Sequence, residues 1–340
     1  MGVTATAPGK LFLLGEYAVL HGAPALLAAM DARCRVSLAP AGTWRLTARP
    51  LGLADLALAD DGGPPKNATD DLRRALAVFD AVRRTVTHDH ELPPLSVTID
   101  TRAFFRGDHK LGLGASAAVA VALTTAMHHL LGYPEDKAAI ADAATRAHRM
   151  AQGGEGSGAD IATAVYGGIV EFVAGQPVQP RNWPAGLHAR PVITGDGADT
   201  RELVAAVRHL AVIDPAGHDT AMSRLADIAD RGRTAIVRSD IPALLDACRA
   251  SLDALTTLGT AAGAGIVTVR HRALADAVAG TGAVFKTTGA GGGDLGLILA
   301  PSRAALDAAT RAAESLGHVC PAMAFGAPGV AVTDVSEAVR

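Results

Sequence analysis

Cysteine is scarce in this sequence of 340 residues, and the three present, Cys34, Cys248 and Cys320, lie far apart. An odd, widely spaced set fits neither a disulfide framework nor a metal cluster, so we expect a reducing, cytoplasmic compartment. No run of 18 apolar residues occurs, and the first residues lack the charged and apolar segments of a leader. The sequence therefore predicts neither a membrane span nor a signal peptide.

A strong net charge is also lacking, because the formal charge at pH 7 is −3 and only 19% of the residues are charged. This balance gives no reason to expect nucleic acid or an anionic membrane as a partner. The hydrophobic share of 49% instead describes a globular protein with enough apolar side chains for two domains or one large one. The oligomeric state stays open.

Lysine is rare as well, since only five of the 31 basic residues are lysine. Three of these five, Lys10, Lys110 and Lys286, border glycine-rich stretches. The lysine ammonium is a compact point charge that suits phosphate oxygens. The three lysines therefore mark candidate phosphate sites.

The stretch over residues 110–119 runs directly into an apolar segment that predicts a helix over residues 119–127. Its glycines permit a tight turn with exposed N–H groups, and the helix adds the positive end of its dipole. This pattern predicts a phosphate site with Ser116 within reach of a metal or phosphate and with Lys110 at its mouth. A plain strand-to-helix turn is the alternative, because neither the Walker spacing nor the dinucleotide fingerprint is present.

Two further glycine-bearing stretches and one carboxylate complete the pattern. Lys10 follows a Pro-Gly turn within residues 7–17, residues 286–294 continue a predicted strand, and Asp160 follows a run of small residues at a predicted helix start. The alternatives are an exposed turn lysine for Lys10 and a plain helix cap for Asp160. Together the stretches suit ATP-dependent phosphoryl transfer, which mainly needs charge neutralisation and positioning.

Strands and helices mix along the chain without strict alternation, which predicts an α+β fold with two lobes. We expect a strand over residues 3–14 that is interrupted at residues 7–10, an antiparallel hairpin over residues 34–58, and a closing strand over residues 328–333. The polar cluster at residues 88–91 resembles a metal site in spacing, but its place between a predicted helix and Pro-Pro favours a solvated loop.

The division into domains follows from one stretch rich in Pro, Gly and Trp, residues 175–190. We interpret this stretch as the linker. The expected domains are therefore an N-terminal, ATP-binding domain over residues 1–180 and a C-terminal domain over residues 190–340.

The three glycine-bearing stretches resemble, in order, the motifs of the GHMP kinase superfamily (galactokinase, homoserine kinase, mevalonate kinase and phosphomevalonate kinase). The matching segments are Ala7-Pro-Gly-Lys-Leu-Phe-Leu-Leu-Gly-Glu-Tyr17, Leu111-Gly-Leu-Gly-Ala-Ser-Ala-Ala118 and Lys286-Thr-Thr-Gly-Ala-Gly-Gly-Gly-Asp294. The resemblance covers residues from about 4 to 332. It implies an N-terminal nucleotide-binding lobe and a C-terminal ferredoxin-like lobe.

Several details are more similar to the phosphomevalonate kinase subfamily than to the mevalonate kinases. The third motif ends in Asp294, Tyr17 stands where mevalonate kinases usually carry His, and residues 151–167 and 194–204 resemble segments of that subfamily. One position departs from the superfamily pattern, since Ala115 replaces the first Ser of Gly-Leu-Gly-Ser-Ser. The second Ser, which the superfamily uses near Mg²⁺, is retained.

The resemblance implies an enzyme that transfers a phosphoryl group from ATP, with Mg²⁺, to 5-phosphomevalonate. The alternatives are mevalonate kinase, another small-alcohol kinase of the superfamily, and a non-catalytic ATP-binding relative. Diphosphomevalonate decarboxylase shares the fold, but its motifs are less similar. The implied partners are small molecules, ATP and phosphomevalonate.

The resemblance also implies roles for individual residues. Lys10 and Asp160 would be catalytic, Ser116 would hold Mg²⁺, and Glu155 is a candidate second ligand. The residues expected to bind ATP are Lys110, Gly112, Leu113, Gly114, Ala115, Ser116 and Ala117. The residues expected to bind the acceptor are Glu16, Tyr17, Ser157, Gly158, Thr288, Gly289, Ala290 and Gly291. Cations for the acceptor's phosphate remain open among Arg106, Lys110, Arg146, His148 and Arg149.

Overall fold

The computed structural model describes residues 2–87, 91–107, 109–154, 156–195, 199–293 and 295–335. The strands are β1 (Gly2–Leu14), β2 (Ala25–Pro40), β3 (Arg45–Arg49), β4 (Leu53–Ala57), β5 (Leu95–Asp100), β6 (Phe105–Arg106), β7 (His109–Lys110), β8 (Ile169–Phe172), β9 (Gln179–Arg181), β10 (His188–Ile193), β11 (Val284–Thr287), β12 (Leu295–Ala300) and β13 (Ala331–Val335). The α-helices are α1 (Asp70–Val86), α2 (Ala115–Leu130), α3 (Lys137–Ala151), α4 (Ala159–Tyr166), α5 (Thr200–Ile213), α6 (Pro215–Arg238), α7 (Ile241–Ala261), α8 (Val269–Ala279) and α9 (Arg303–Ser315).

The larger sheet belongs to the N-terminal lobe and has the strand order β13-β1-β2-β5-β3-β4, with β8 and β9 continuing from β2. Its pairs are antiparallel except for β3 and β5, which run parallel. The expected hairpin over residues 34–58 is therefore wrong in part. β3 and β4 do form a hairpin, but β5 lies between β2 and β3.

The first strand is continuous and contains a bulge where the sequence predicts a break. The register of β1 against β2 shifts between Pro8 and Gly9. A Cβ on Gly9 would lie 2.9 Å from the Leu113 carbonyl oxygen, so only glycine lets the second glycine-rich stretch approach this closely. The bulge thereby brings Lys10 beside that stretch, and the Lys10 N–H donates to the Leu113 carbonyl at 2.8 Å.

Helix α2 lies at the centre of the N-terminal lobe. It packs on β1 and β2 with one side and against α1, α3 and α4 with the others. Most of its residues are buried, including the whole run from Ala120 to Met127. This matches a helix that is apolar all round rather than one with a single apolar stripe. The position of its first turn is therefore determined by packing on several sides.

The C-terminal lobe is built on an antiparallel sheet of order β10-β12-β11. Helices α7, α8 and α9 pack against this sheet, and α5 and α6 pack on one another. β12 is buried along its whole length, as expected for the apolar run from Leu295 to Ala300. The α+β prediction is confirmed.

The chain then returns to the N-terminal lobe, where β13 pairs antiparallel with β1. Arg33 holds this return, because its guanidinium donates to the carbonyls of Pro328 (2.7 Å) and Gly329 (2.8 Å) as well as to Thr6. A Cβ on Gly329 would lie 2.2 Å from the Val165 carbonyl oxygen, so the strand crosses in close backbone contact. The domain boundaries remain a prediction, and the expected linker contains the short strand β9.

Two expectations concern residues outside the described part of the chain. His88, Asp89 and His90 of the polar cluster are not described, nor is Asp294 at the end of the third motif. Among the helices that are described, none is long and apolar enough to cross a membrane.

Candidate active site

The three glycine-rich stretches meet in one cleft between the two lobes, with a volume of about 850 Å³. Its walls come from β1 and the turn after it, the turn before α2, the start of α4, and the loop after β11. The start of α5 also contributes, and Arg201 on that helix faces the cleft. Elements far apart in sequence therefore form one binding site.

The turn before α2 has the geometry of an anion site. Gly112 and Gly114 adopt φ values of 66° and 76°, which favour glycine, and α2 begins at Ala115. The N-cap makes no side-chain hydrogen bond to the helix. The first N–H groups of this 16-residue helix and the positive end of its dipole therefore face the cleft, where phosphate oxygens are favourable partners.

Lys10 and Asp160 form an ion pair across this cleft. Lys10 Nζ lies 3.6 Å from Asp160 Oδ2. The Lys10 residue is 9% exposed, and its ammonium also lies 5.0 Å from the centre of the Phe12 ring. Asp160 sits in the first turn of α4, whose N-cap, Gly158, is left-handed. The resemblance implies that both residues are catalytic, and the structure places them side by side.

Ser116 contacts His148 of α3, which in turn contacts Gln152 on the same helix. His148 Nε2 lies 3.0 Å from Ser116 Oγ and 3.2 Å from Gln152 Nε2. A ring nitrogen carries either one proton or one lone pair, so the tautomer of His148 and the orientation of the Gln152 amide set the direction of these two contacts. Burial lowers the pKa of His148, although Asp160 raises it, and this favours the neutral ring. In either direction at least one lone pair of Ser116 Oγ is left for a group in the cleft.

The loop before α4 is ordered by its own hydrogen bonds. Arg149 donates to the carbonyls of Gly156 (3.0 Å) and Ser157 (3.2 Å), and Ser157 Oγ accepts from the Ala159 N–H at 3.2 Å. Arg149 therefore supports the loop instead of standing free as a phosphate ligand. Glu155 lies outside the described residues, so a role as second metal ligand stays a prediction.

The loop after β11 is attached to the first motif by side chains. Thr288 Oγ1 accepts from the Phe12 N–H at 2.9 Å and donates to the Phe12 carbonyl at 3.0 Å. Tyr17 Oη donates to the Ala290 carbonyl at 2.7 Å, and burial, helped by Glu16, raises the Tyr17 pKa. The hydroxyls of Tyr17 and Thr288 already have hydrogen-bond partners. These side chains therefore hold the loop after β11 in place as well as lining the cleft.

Glu16 reaches the C-terminal lobe directly. Lys286 Nζ donates to Glu16 Oε1 and to the Thr287 carbonyl, and both side chains of this ion pair are buried. Glu16 Oε2 has no hydrogen-bond partner within the part of the chain that the structure describes.

A second network supports the far end of this loop. Thr194 Oγ1 donates to the Gly293 carbonyl at 2.6 Å and accepts from His271 Nε2 at 3.0 Å. His271 Nδ1 accepts from the Thr268 N–H at 3.1 Å, which closes a capping box at the start of α8. Burial, with His318, lowers the pKa of His271 to about 4. The neutral ring therefore connects a helix cap to the glycine-rich loop.

Most of the predicted site residues line the cleft. The lining includes Lys10, Glu16, Tyr17, Lys110, Gly112, Gly114, Ser116, Ser157, Gly158, Asp160, Thr288, Gly289, Ala290 and Gly291. The other three predicted ATP-binding residues, Leu113, Ala115 and Ala117, have buried side chains, so they would offer backbone groups only.

The structure divides the candidate cations for the acceptor's phosphate into those that line the cleft and those that do not. Lys110 and His148 line the cleft, whereas Arg146 pairs with Asp142 on the exposed side of α3. Arg106 lies in the exposed β6–β7 hairpin, outside the residues that line the cleft. The sequence reasoning missed Gln152, Arg201 and the Lys286 ion pair. Only Gln152 carried a local signal, its spacing of four residues from His148 on one helix face.

Comparison with known proteins identifies one family over part of the chain. Residues 73–168 match the family described as GHMP kinases N terminal domain. The phosphomevalonate kinase of Streptomyces sp. (strain CL190) is 28% identical over 349 residues, which cover 88% of this chain and 90% of that protein. A mevalonate kinase of Pyrococcus horikoshii is 28% identical over 315 residues, covering 88% of this chain and 89% of the relative.

The same fold occurs in a solved structure of Streptococcus pneumoniae phosphomevalonate kinase in complex with phosphomevalonate and AMPPNP. The two chains superpose with a TM-score of 0.80 at 19% identity, over 95% of this chain and 99% of the other. Residues 73–168 therefore contain a GHMP kinase N-terminal domain, and the chain as a whole has the fold of these kinases. The relatives at 28% identity include a phosphomevalonate kinase and two mevalonate kinases, so similarity alone does not distinguish these two activities.

Proposed function

We propose that the protein is a phosphomevalonate kinase, which transfers the γ-phosphoryl group of ATP to the phosphate of 5-phosphomevalonate. The observation that carries a kinase function is the Lys10–Asp160 ion pair, 3.6 Å apart, in the cleft that also contains the free helix start at Gly114. A lysine, a carboxylate and an anion site in one cleft are what phosphoryl transfer between bound substrates needs.

The main task of such an enzyme is to bring two polyanions together. The second pKa of a phosphate monoester is about 6, so the acceptor is largely dianionic at neutral pH and needs little help from a base. Lys10 offsets negative charge between donor and acceptor, and the backbone at the start of α2 receives the phosphates of ATP. Asp160 orients the Lys10 ammonium and the acceptor oxygen.

The residues present suit Mg²⁺ bound together with ATP. Ser116 Oγ keeps at least one lone pair beside its contact with His148, and this lone pair is available to a hard cation. Among the described residues there is no cluster of three or more acidic, His or Cys side chains that could hold a metal alone. Mg²⁺ usually combines one or two protein oxygens with phosphate oxygens and waters. When bound, it would neutralise charge on the transferred group.

The acceptor is supported by sequence details and by one relative. Similarity to the Streptomyces phosphomevalonate kinase extends over 88% of the chain, and Tyr17 resembles the residue of that subfamily. Mevalonate kinase is the alternative, favoured by the equal identity to the Pyrococcus horikoshii enzyme. A non-catalytic ATP-binding relative would have no chemical need for Lys10, Ser116 and Asp160 in one cleft.

The experiment is ADP release by the purified protein with Mg-ATP, measured with 5-phosphomevalonate and mevalonate side by side. We expect turnover with the phosphorylated acceptor and little with mevalonate. Turnover with mevalonate alone would assign the alternative activity. No turnover with either, together with tight ATP binding, would favour the non-catalytic relative.

A further inference from the structure

The Glu16–Lys286 ion pair is the most deeply buried pair of charges among the described residues. Lys286 is 0% exposed and Glu16 is 2% exposed. Lys286 lies in β11 of the C-terminal sheet, and Glu16 follows β1 of the N-terminal sheet, so 270 residues separate the partners. The pair therefore joins the two lobes at the base of the cleft.

Two uncharged contacts accompany the pair. The backbone of Phe12 is bonded in both directions to Thr288, and Tyr17 is bonded to Ala290. The segment over residues 12–17 is thus attached to the segment over residues 286–290 at three points. These contacts form a seam between the segments over residues 12–17 and 286–290. The first segment is preceded by Lys10, and the second contains Gly289 and leads to Gly291. All three of these residues line the cleft.

Stability alone does not account for charges at this place. Taking two charges out of water is costly, and well-packed apolar residues of similar volume are often equally or more stabilising. A buried pair has another effect that apolar side chains lack. Any shift of the seam would leave one charge buried without its partner, so one relative position of the lobes is favoured over all neighbouring ones.

We propose that Glu16 and Lys286 are positioning residues, which hold the loop over residues 288–291 at the distance from Lys10 that phosphoryl transfer requires. Neither side chain needs to touch the substrate for this role. The assignment rests on the proposed function, because that function places the loop over residues 288–291 beside the acceptor. Glu16 would then act through Lys286 rather than as a direct ligand of the acceptor.

The test replaces both charges together, as Glu16→Met with Lys286→Met. We expect the double variant to unfold at a temperature equal to or above that of the wild type, while each single variant unfolds earlier. The double variant should nevertheless lose about 10- to 100-fold in kcat, because a displacement of about 1 Å at the reacting groups has this effect. Its KM for ATP should stay within about threefold, since the ATP loop belongs to α2.

A matched control removes another ion pair away from the cleft, in which the carboxylate is buried and the guanidinium is partly exposed. Glu171 and Arg181 join β8 to β9 within the N-terminal sheet. The double variant Glu171→Met with Arg181→Met should keep the wild-type kcat. A stable Glu16/Lys286 double variant with wild-type kcat would overturn the inference. If that variant does not fold, Glu16→Gln replaces it in the test. An unchanged kcat of Glu16→Gln, measured well below its unfolding temperature, would equally overturn the inference.

Amide hydrogen exchange separates this inference from the proposed function. Exchange at residues 289–292 should be at least about tenfold faster in the Glu16/Lys286 double variant than in the wild type, with the control unchanged. This measurement needs no acceptor. Absence of wild-type turnover with both acceptors would therefore contradict the proposed function, while equal exchange rates would contradict the positioning role.

Discussion

Lys10 is the residue at which the architecture and the proposed chemistry coincide. Its backbone N–H is bonded to Leu113, its stem packs against Gly114, and its ammonium faces Asp160. The charge is thus held from several sides before any substrate binds. Such preorganisation lets a cation stabilise developing negative charge without reorganising during the reaction.

Substitution of this ion pair should affect its two members unequally. We expect Lys10→Met to lower kcat by at least about 10²- to 10³-fold, the range found when a preorganised charge-stabilising group is removed. Asp160→Asn should retain measurable turnover of phosphomevalonate, because a dianionic acceptor needs little general-base catalysis. Steady-state kinetics with a parallel measurement of ATP affinity checks both. An Asp160→Asn variant that binds ATP normally but is inactive would contradict this ranking.

At the scale of elements, the start of α2 depends on a glycine for two separate reasons. Gly114 has φ of 76°, which L side chains rarely adopt. A Cβ there would also lie 2.9 Å from Lys10 Cε and 3.0 Å from Lys10 Cγ. The first reason concerns stability, and the second concerns the position of the Lys10 ammonium.

Two substitutions, one at each end of α2, distinguish these effects. Gly114→Ala should cost about 1–2 kcal/mol of unfolding free energy through its left-handed backbone. It should also lower kcat at least about tenfold by displacing Lys10. Gly132→Ala, just after α2, has φ of 72° with no atom near the new Cβ, so it should cost similar stability and leave kcat unchanged. Equal kcat values for the two variants would refute the displacement.

The capping box of α8 should make the C-terminal lobe sensitive to acid. The folded pKa of His271 is about 4, below its usual 6.5, so the unfolded chain binds the proton more readily. The contribution of His271 to the free energy of unfolding is fully present above pH 6.5. It decreases by up to about 3 kcal/mol as the pH falls towards 4. Denaturant unfolding between pH 4 and 7 measures it.

The variant His271→Gln isolates this contribution, because glutamine can keep both hydrogen bonds of the capping box without titrating. Other groups titrate in the same range, so the informative quantity is the difference between wild type and variant. We expect the wild type to lose stability more steeply on acidification than the variant. Parallel pH profiles would show that His271 does not contribute.

Elements with a strong local signal are predicted well. The apolar run over residues 119–127 predicts a helix, and the structure places all of it within α2. Strand pairing is predicted less well, because the local sequence of residues 34–58 does not indicate that β5 lies between β2 and β3. The interruption expected at residues 7–10 is a bulge, since Gly9 permits a close approach that only the folded chain reveals.

At the scale of the whole molecule, the cleft exists because three separate stretches converge on it. Their glycines, lysines and Asp160 are visible in the sequence, so the composition of the candidate site could be predicted. The contacts that hold the site together could not. Glu16 meets Lys286 across 270 residues, and Ser116 meets His148 across 32, and neither spacing carries a local signature.

The most direct test of the central claim is ³¹P NMR of the reaction of the wild-type protein with Mg-ATP and 5-phosphomevalonate. If the acceptor is the phosphate, the phosphomonoester resonance should be replaced by two coupled resonances of a new diphosphate, in step with ADP formation. With mevalonate in its place, no phosphomonoester should appear. A persistent phosphomonoester signal in the first sample, with a new phosphomonoester from mevalonate in the second, would contradict the assignment and identify an alcohol as the acceptor.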